Sequence, residues 1–188
     1  MPRQLLAFVS TFAFLASIPA FADDFDIKGF FATAMQAGRS GIAEKTKIVD
    51  ARPALAGEIV VTLIKEEGVE TRSKPAEAGD MVVRNRCEET GNEQYLVKAA
   101  TFPKRYGSAQ SETDKDGWRA YKPTGAPTRY VVLKAEEGPY SFKAPWGEQQ
   151  VARPGDVIAQ DPNNPTDTYR IAGAAFRCTY AIVQAPSS

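Results

Sequence analysis

The chain has 188 residues, with 23 basic and 23 acidic side chains and no formal net charge, so electrostatics gives no reason to expect a nucleic-acid or anionic-membrane partner. It contains no histidine, which excludes Ser-His-Asp and Cys-His nucleophile systems, His-containing zinc sites and the usual imidazole base. No cofactor, no metal and no catalytic residue is expected, because any catalysis would rest on carboxylates, lysines, tyrosines or a Ser-Lys pair, and none stands out in a recognisable context.

The first element is a leader. Arg3 precedes a stretch dominated by apolar residues from Leu5 to Ile18, Pro19 breaks it, and Ala20-Phe21-Ala22 supplies a small-x-small cleavage signal. Residues 1–22 are therefore expected to be a signal peptide, cut between Ala22 and Asp23. A membrane-spanning helix needs about 20 apolar residues, more than this run offers, and no cysteine for lipid attachment comes before Cys87. The mature protein is expected free in the periplasm or secreted. Loss of the leader removes one basic residue and no acid, leaving a net charge of −1.

Residues 23–57 read as an N-terminal helix and linker. Phe25, Ile27, Phe30, Phe31 and Ala34 fit one amphipathic helix over Phe25–Gln36, ended near Gly38 and packed on a sheet. From Glu58 onward, short apolar, β-branched runs alternate with Gly, Pro and Asn. Strands are predicted at Ile59–Ile64, Met81–Val83 and Tyr95–Val97 within a first β repeat, residues 58–110. A connector over 111–128 leads to a second β repeat, 129–188, with strands at Tyr130–Leu133, Val157–Ala159 and Ala181–Val183. The fold class expected is mainly β: two related small β modules packed together, with a short N-terminal helix.

The repeat emerges when the chain is slid by about 75 residues against itself. Ile59 to Leu63 runs into Glu66-Glu67-Gly68, and Tyr130 to Leu133 runs into Glu136-Glu137-Gly138. Ala78-Gly79-Asp80-Met81-Val82-Val83 is matched by Pro154-Gly155-Asp156-Val157-Ile158-Ala159. Tyr95, Phe102 and Tyr106 are spaced seven and four apart, as are Tyr169, Phe176 and Tyr180. In each Gly-Asp pair the glycine can take positive φ in a turn feeding a strand, and the aspartate can bond the turn's own amides. The aromatic trios read as core, with phenol tips at the rim of a small sheet.

Cys87 and Cys178 are the only cysteines, and an even count in an exported chain predicts a disulfide. Closing a loop of 91 residues stabilises a fold by about 4–5 kcal/mol on the chain-entropy account. There is no C-x-x-C redox pair.

Trp118, Tyr121, Tyr140 and Trp146, with Phe142, concentrate aromatic area around the connector. Buried, they fill the seam between the modules; exposed, they form a stacking platform for a sugar or an anchor for a protein partner. The four named first are the candidate binding residues. Glu112, Asp114, Asp116 and Gly117 begin like a calcium loop, but Pro123 stands where a bidentate Glu belongs and Arg119 where a hydrophobe belongs. Asp161, Asn163, Asn164 and Asp167 form a second acidic loop, stiffened by Pro162 and Pro165 and lacking a turn glycine; both read as solvated turns. Glu148, Asp156 and Asp161 include the acids a glycoside hydrolase would need.

The repeated unit, an apolar strand, then Ala-Gly-Asp or Pro-Gly-Asp with three apolar residues, then Tyr-x6-Phe-x3-Tyr, resembles a small β-rich domain of phage and bacterial proteins to which no activity is assigned. The resemblance covers residues 59–106 and 130–183 as two tandem copies and implies a compact β module. Pro-Gly-Asp also occurs in cupins, which the missing histidines disfavour, and in signal peptidases, whose Ser-Lys context is missing. The function expected is an exported, soluble, non-enzymatic binding or structural module with a periplasmic protein or glycan as partner. The alternatives are a carboxylate-based hydrolase of cell-wall glycan, using Glu148 and Asp156, and a periplasmic inhibitor or immunity-type protein.

Overall fold

The computed structural model describes residues 24–187; the leader read over 1–22 and its cleavage point lie outside that span. Asp26 opens the first helix, α1 (Ile27–Gln36), by accepting the Gly29 N–H at 2.9 Å, the bond expected of an N-cap aspartate. Ile27, Phe31 and Ala34 are the buried residues of α1, a spacing that lays them along one face. Phe25 precedes the helix and stacks on Tyr140 with ring centres 3.8 Å apart. The chain turns away at Gly38, φ 74°.

The strands that follow are β1 (Gly41–Lys45), β2 (Val49–Pro53), β3 (Val61–Ile64), β4 (Gly68–Arg72), β5 (Met81–Asn85), β6 (Gln94–Val97), β7 (Tyr106–Ala109), β8 (Arg119–Pro123), β9 (Thr128–Val132), β10 (Tyr140–Lys143), β11 (Gln149–Ala152), β12 (Val157–Asp161), β13 (Asn164–Ile171) and β14 (Tyr180–Gln184). Helix α2 (Phe102–Arg105) sits before β7, α3 (Gly173–Thr179) before β14, and a 3-10 turn (Glu88–Thr90) before β6. The protein is mainly β, with its longest helix at the N-terminal end of the described residues.

Two antiparallel five-stranded sheets, ordered β6-β5-β2-β8-β7 and β13-β12-β9-β1-β14, are joined by two hairpins, β3-β4 and β10-β11. Strands β2, β5, β6, β7 and β8 of the first sheet stand where β9, β12, β13, β14 and β1 stand in the second. The register agrees: Ala51 pairs with Val83 as Tyr130 pairs with Ala159. Consecutive strands nevertheless part company, because β1 joins the second sheet and β2 the first, while β8 joins the first and β9 the second. Each sheet thus takes one strand from the other half of the chain.

This architecture places strands where the sequence indicates connections. The segment 23–57 holds β1 and β2, and 111–128 holds β8 and the start of β9. Gly-Ile-Ala-Glu-Lys and Val-Asp-Ala-Arg-Pro carry no apolar run because Ala43 and Ala51 sit at the centre of tightly packed sheets, both almost fully buried, where a small side chain suffices. The run at Ile59–Ile64 supplies β3, a hairpin strand, and the sheet counterpart of Tyr130–Leu133 is β2. Phe102 and Phe176 lie in short helices rather than on strands.

Both faces of the second sheet are covered. Val131, Leu133 and Ile158 pack with Ile27, Phe31 and Ala34 of α1 and with Phe142 and Ala152 of the β10-β11 hairpin. On the other side Ala43, Tyr130 and Val157 pack on Phe176 of α3. In the first sheet Val49, Ala51 and Val83 pack with Tyr106 and Phe102, while Val82 packs with Val60 and Trp118. A disulfide joins Cys87, between β5 and the 3-10 turn, to Cys178 in α3, so one covalent bond ties the two halves.

The Gly-Asp pairs form two corners of one design. Gly79 and Gly155 take φ of 84° and 86°. Asp80 accepts the Glu77 N–H at 2.9 Å and the Ala99 N–H at 2.9 Å. Asp156 accepts the Arg153 N–H at 2.8 Å and the Gly173 N–H at 3.1 Å. Each carboxylate therefore closes its own turn and also pins the segment that follows the next two strands.

Candidate functional site

The tyrosines of the two trios converge. Tyr95 leaves β6 and Tyr106 opens β7; Tyr169 lies on β13 and Tyr180 opens β14. Together they line a cavity of about 730 Å³ that draws walls from both sheets and from both hairpins, within the size range of small-molecule sites. Phe102 and Phe176, the middle members of the trios, face the cores behind.

One wall is a hydrogen-bonded chain. Lys45, the last residue of β1, donates from Nζ to Asn85 Oδ1 at 2.7 Å and to the Tyr95 hydroxyl at 2.9 Å. The Tyr95 and Tyr106 hydroxyls are 2.9 Å apart; because the ammonium can only donate, the Tyr95 proton is free to serve Tyr106. Asn85 Nδ2 donates to Glu93 at 2.6 Å, and the Thr90 hydroxyl bonds the other Glu93 oxygen. On the opposite wall Arg105 approaches Asp167 at 3.6 Å and lies 5.8 Å from the Tyr169 ring centre. Tyr169 packs against Trp146, with ring centres 5.5 Å apart.

Burial sets the charge states here. It pushes the Lys45 amine down to about 8 against the pull of Glu93. It pushes the phenols up, Tyr106 to about 12 and Tyr95 and Tyr180 well above their usual range, with Tyr169 shifted the same way. Asp167 is raised by burial, with Arg105 pulling it back. At neutral pH the cavity therefore presents neutral phenols beside the Lys45 ammonium and the Arg105-Asp167 pair, with Lys98, Lys104, Arg170 and several carboxylates elsewhere in its lining.

Arg170 and Glu70, which also line the cavity, belong to an ionic cluster. The Arg170 side chain, 1% exposed, meets Asp156 at 2.6 Å, Glu67 at 2.5 Å and Glu70 at 2.5 Å. Glu67 and Glu70 belong to the β3-β4 hairpin and Arg170 to β13, so the cluster ties the two halves as the disulfide does.

The four aromatic candidates do not meet. Trp118 is buried under Arg84 and Arg52, whose guanidiniums lie 4.3 and 5.1 Å from its ring. Tyr121 packs edge-on to Phe102, and Tyr140 stacks on Phe25. Trp146 alone of the four lines the cavity; it is 41% exposed, and its Nε1 donates to Glu148 at 3.0 Å. Of the proposed hydrolase acids, Asp156 is committed to its corner and to Arg170, whereas Glu148 faces the cavity, so the two do not share a cleft. Asp114 accepts the N–H groups of Asp116 and Trp118, both at 2.9 Å, and so builds its own turn.

Lys45, Asn85, Arg105 and the four tyrosines are the site residues that sequence reasoning passed over. The equal Tyr spacing in the two repeats was the available signal, and it is equally compatible with a core. Lys45 gives no signal, since only the strand crossover brings it to this wall. No protein-family model, no curated protein and no solved structure matches the chain.

Proposed function

We propose that the chain is an exported, non-enzymatic binding module, built by duplication of one β unit, whose cavity takes a small carbohydrate-type ligand. The observation that carries this reading is the lining: hydroxyl, amide and charged groups converge from both sheets on aromatic faces, with half-exposed Trp146 at hand for a sugar ring. Aromatic faces with a few convergent polar groups suit a ligand that is apolar on one face and hydroxylated at its edges. The common strand order of the two sheets supports duplication, and the disulfide fits an oxidising compartment. Calorimetric titration with neutral hexoses and wall-glycan fragments tests the reading. Saturable binding is expected, weakened about tenfold in Trp146→Ala by loss of one stacking face. Absence of binding to every saccharide, with Trp fluorescence unmoved, would sink it.

A protein partner is the second reading. Leu55, Ile59, Leu63 and Val69 are all more than half exposed on and beside the β3-β4 hairpin, and Leu63 pairs with Val69. Crosslinked capture from periplasmic extract, compared with a Leu63→Asp variant, tests it: loss of one stoichiometric partner is the expected result.

A further inference from the structure

The cations around the cavity differ in one respect. Lys98 pairs with Asp80 and Glu77, each at 2.8 Å; Arg105 pairs with Asp167; Arg170 pairs with three carboxylates. Lys104 is exposed to water. Lys45 is partly buried, and its hydrogen-bond partners among the described residues are both neutral, an amide oxygen and a phenol. Two of its three N–H groups are thereby used, leaving one for the cavity it lines. The Tyr95 and Tyr180 ring centres lie 5.2 and 5.9 Å from Nζ and stabilise the cation without neutralising it. Glu93 bonds Asn85 and acts on the ammonium through its charge, with no hydrogen bond to Nζ among the described contacts.

A partly buried ammonium whose hydrogen-bond partners are neutral carries a desolvation cost, and an anion brought to it recovers part of that cost. We propose that Lys45 anchors an acidic group on the ligand, so that the cavity selects a sugar acid, one ring bearing one carboxylate, over the neutral sugar. This rests on the carbohydrate reading above. The carboxylate would accept the third Lys45 N–H and sit among the Tyr95, Tyr106 and Tyr180 hydroxyls. The chain of rings from Tyr180 through Tyr169 to Trp146 would carry the sugar. Facing Lys45 are Glu93 behind Asn85 and the three phenols; Arg105 lies beyond them, paired with Asp167.

Because the amine titrates near 8 and the phenols only above that, the preference for acid should fade as pH rises from 7 to 9 while binding of the neutral sugar stays level.

D-glucuronate and D-glucose, which differ at one carbon, provide the test, by calorimetry on the protein processed from its full sequence with the disulfide intact. At pH 6.5 glucuronate is expected to bind roughly tenfold or more tightly than glucose, as suits a hydrogen bond to a charged group. Lys45→Met should abolish that difference; Lys45→Arg should retain it; and the wild-type preference should collapse by pH 9.5. Equal affinity for both sugars in the wild type, or a preference that survives in Lys45→Met or at pH 9.5, overturns the anchor while the carbohydrate reading stands. Failure of both sugars, together with the neutral panel, overturns the two readings together. If Lys45→Met fails to fold, the wild-type pH series decides alone.

Discussion

Asp80 and Asp156 occupy corners of the same backbone design and keep different electrical company. At the first, Lys98 reaches in from the surface with nearly half its side chain in water. At the second, Arg170 is wholly buried and shared with Glu67 and Glu70 of the opposite half. The turn itself asks only for a glycine and a carboxylate; the choice of cation decides whether the corner is a local brace or a tie between halves. Arg suits the buried case, since its planar fork can serve several carboxylates at once.

The largest effect is expected from removing the covalent tie, which leaves the strand crossings and the Arg170 cluster to hold the halves. Cys87→Ser with Cys178→Ser should lower stability by about 4–5 kcal/mol, read from urea midpoints. Next, Arg170→Met leaves the buried Asp156 and the largely buried Glu70 without their cation and should cost about 3–5 kcal/mol, whereas Lys98→Met should cost less because Lys98 is nearly half in water. Equal losses in the two variants would break the distinction between brace and tie. Asp156→Asn, which weakens the bond from Arg170, should cost about 2–3 kcal/mol, with Asp80→Asn losing less.

The smallest effect concerns pH and has opposite signs at the two corners. Burial pushes Asp80 up, but Lys98 and the Glu77 and Ala99 amides outweigh it and hold the carboxyl below its usual range. Asp80 therefore contributes stability that is present above about pH 4 and lost as pH falls through its depressed value. Asp50, held down by Arg86 and Arg84 against burial, behaves alike. Glu70 is raised by burial despite Arg170, so its contribution is full below about pH 4.5 and lost as pH rises through its elevated value. A urea-midpoint series from pH 7 to 3 should show a steeper acid decline in Glu70→Gln than in the wild type. Parallel curves would remove the sign difference.

How much of this was legible in sequence depended on whether a residue's job is local. Asp26, Gly38, Gly79, Asp80, Gly155 and Asp156 act on amides a few residues away, and their turns and caps follow from that. The Cys87–Cys178 bridge followed from count and compartment rather than position. β1, β2 and β8 left no apolar signature because their packing partners are distant strands, and the centres of β1 and β2 need only alanine. The cavity was illegible for the same reason: its phenols are visible as a spacing, but Lys45 and Arg105 join them only after chain crossings that no local pattern encodes.

The crossing of β1 and β8 also sets an order of assembly. The first sheet lacks an inner strand until residues 119–123 are available, and the second lacks its far edge until residues 180–184 are. Half of the ten strand pairings among the described residues join strands that are not consecutive in the chain, and such separations slow folding. A chain cut near residue 110 would hold β1 with no sheet to join and β7 with no neighbour. The first sheet can close once residue 123 is available, and the second only once residues 180–184 are.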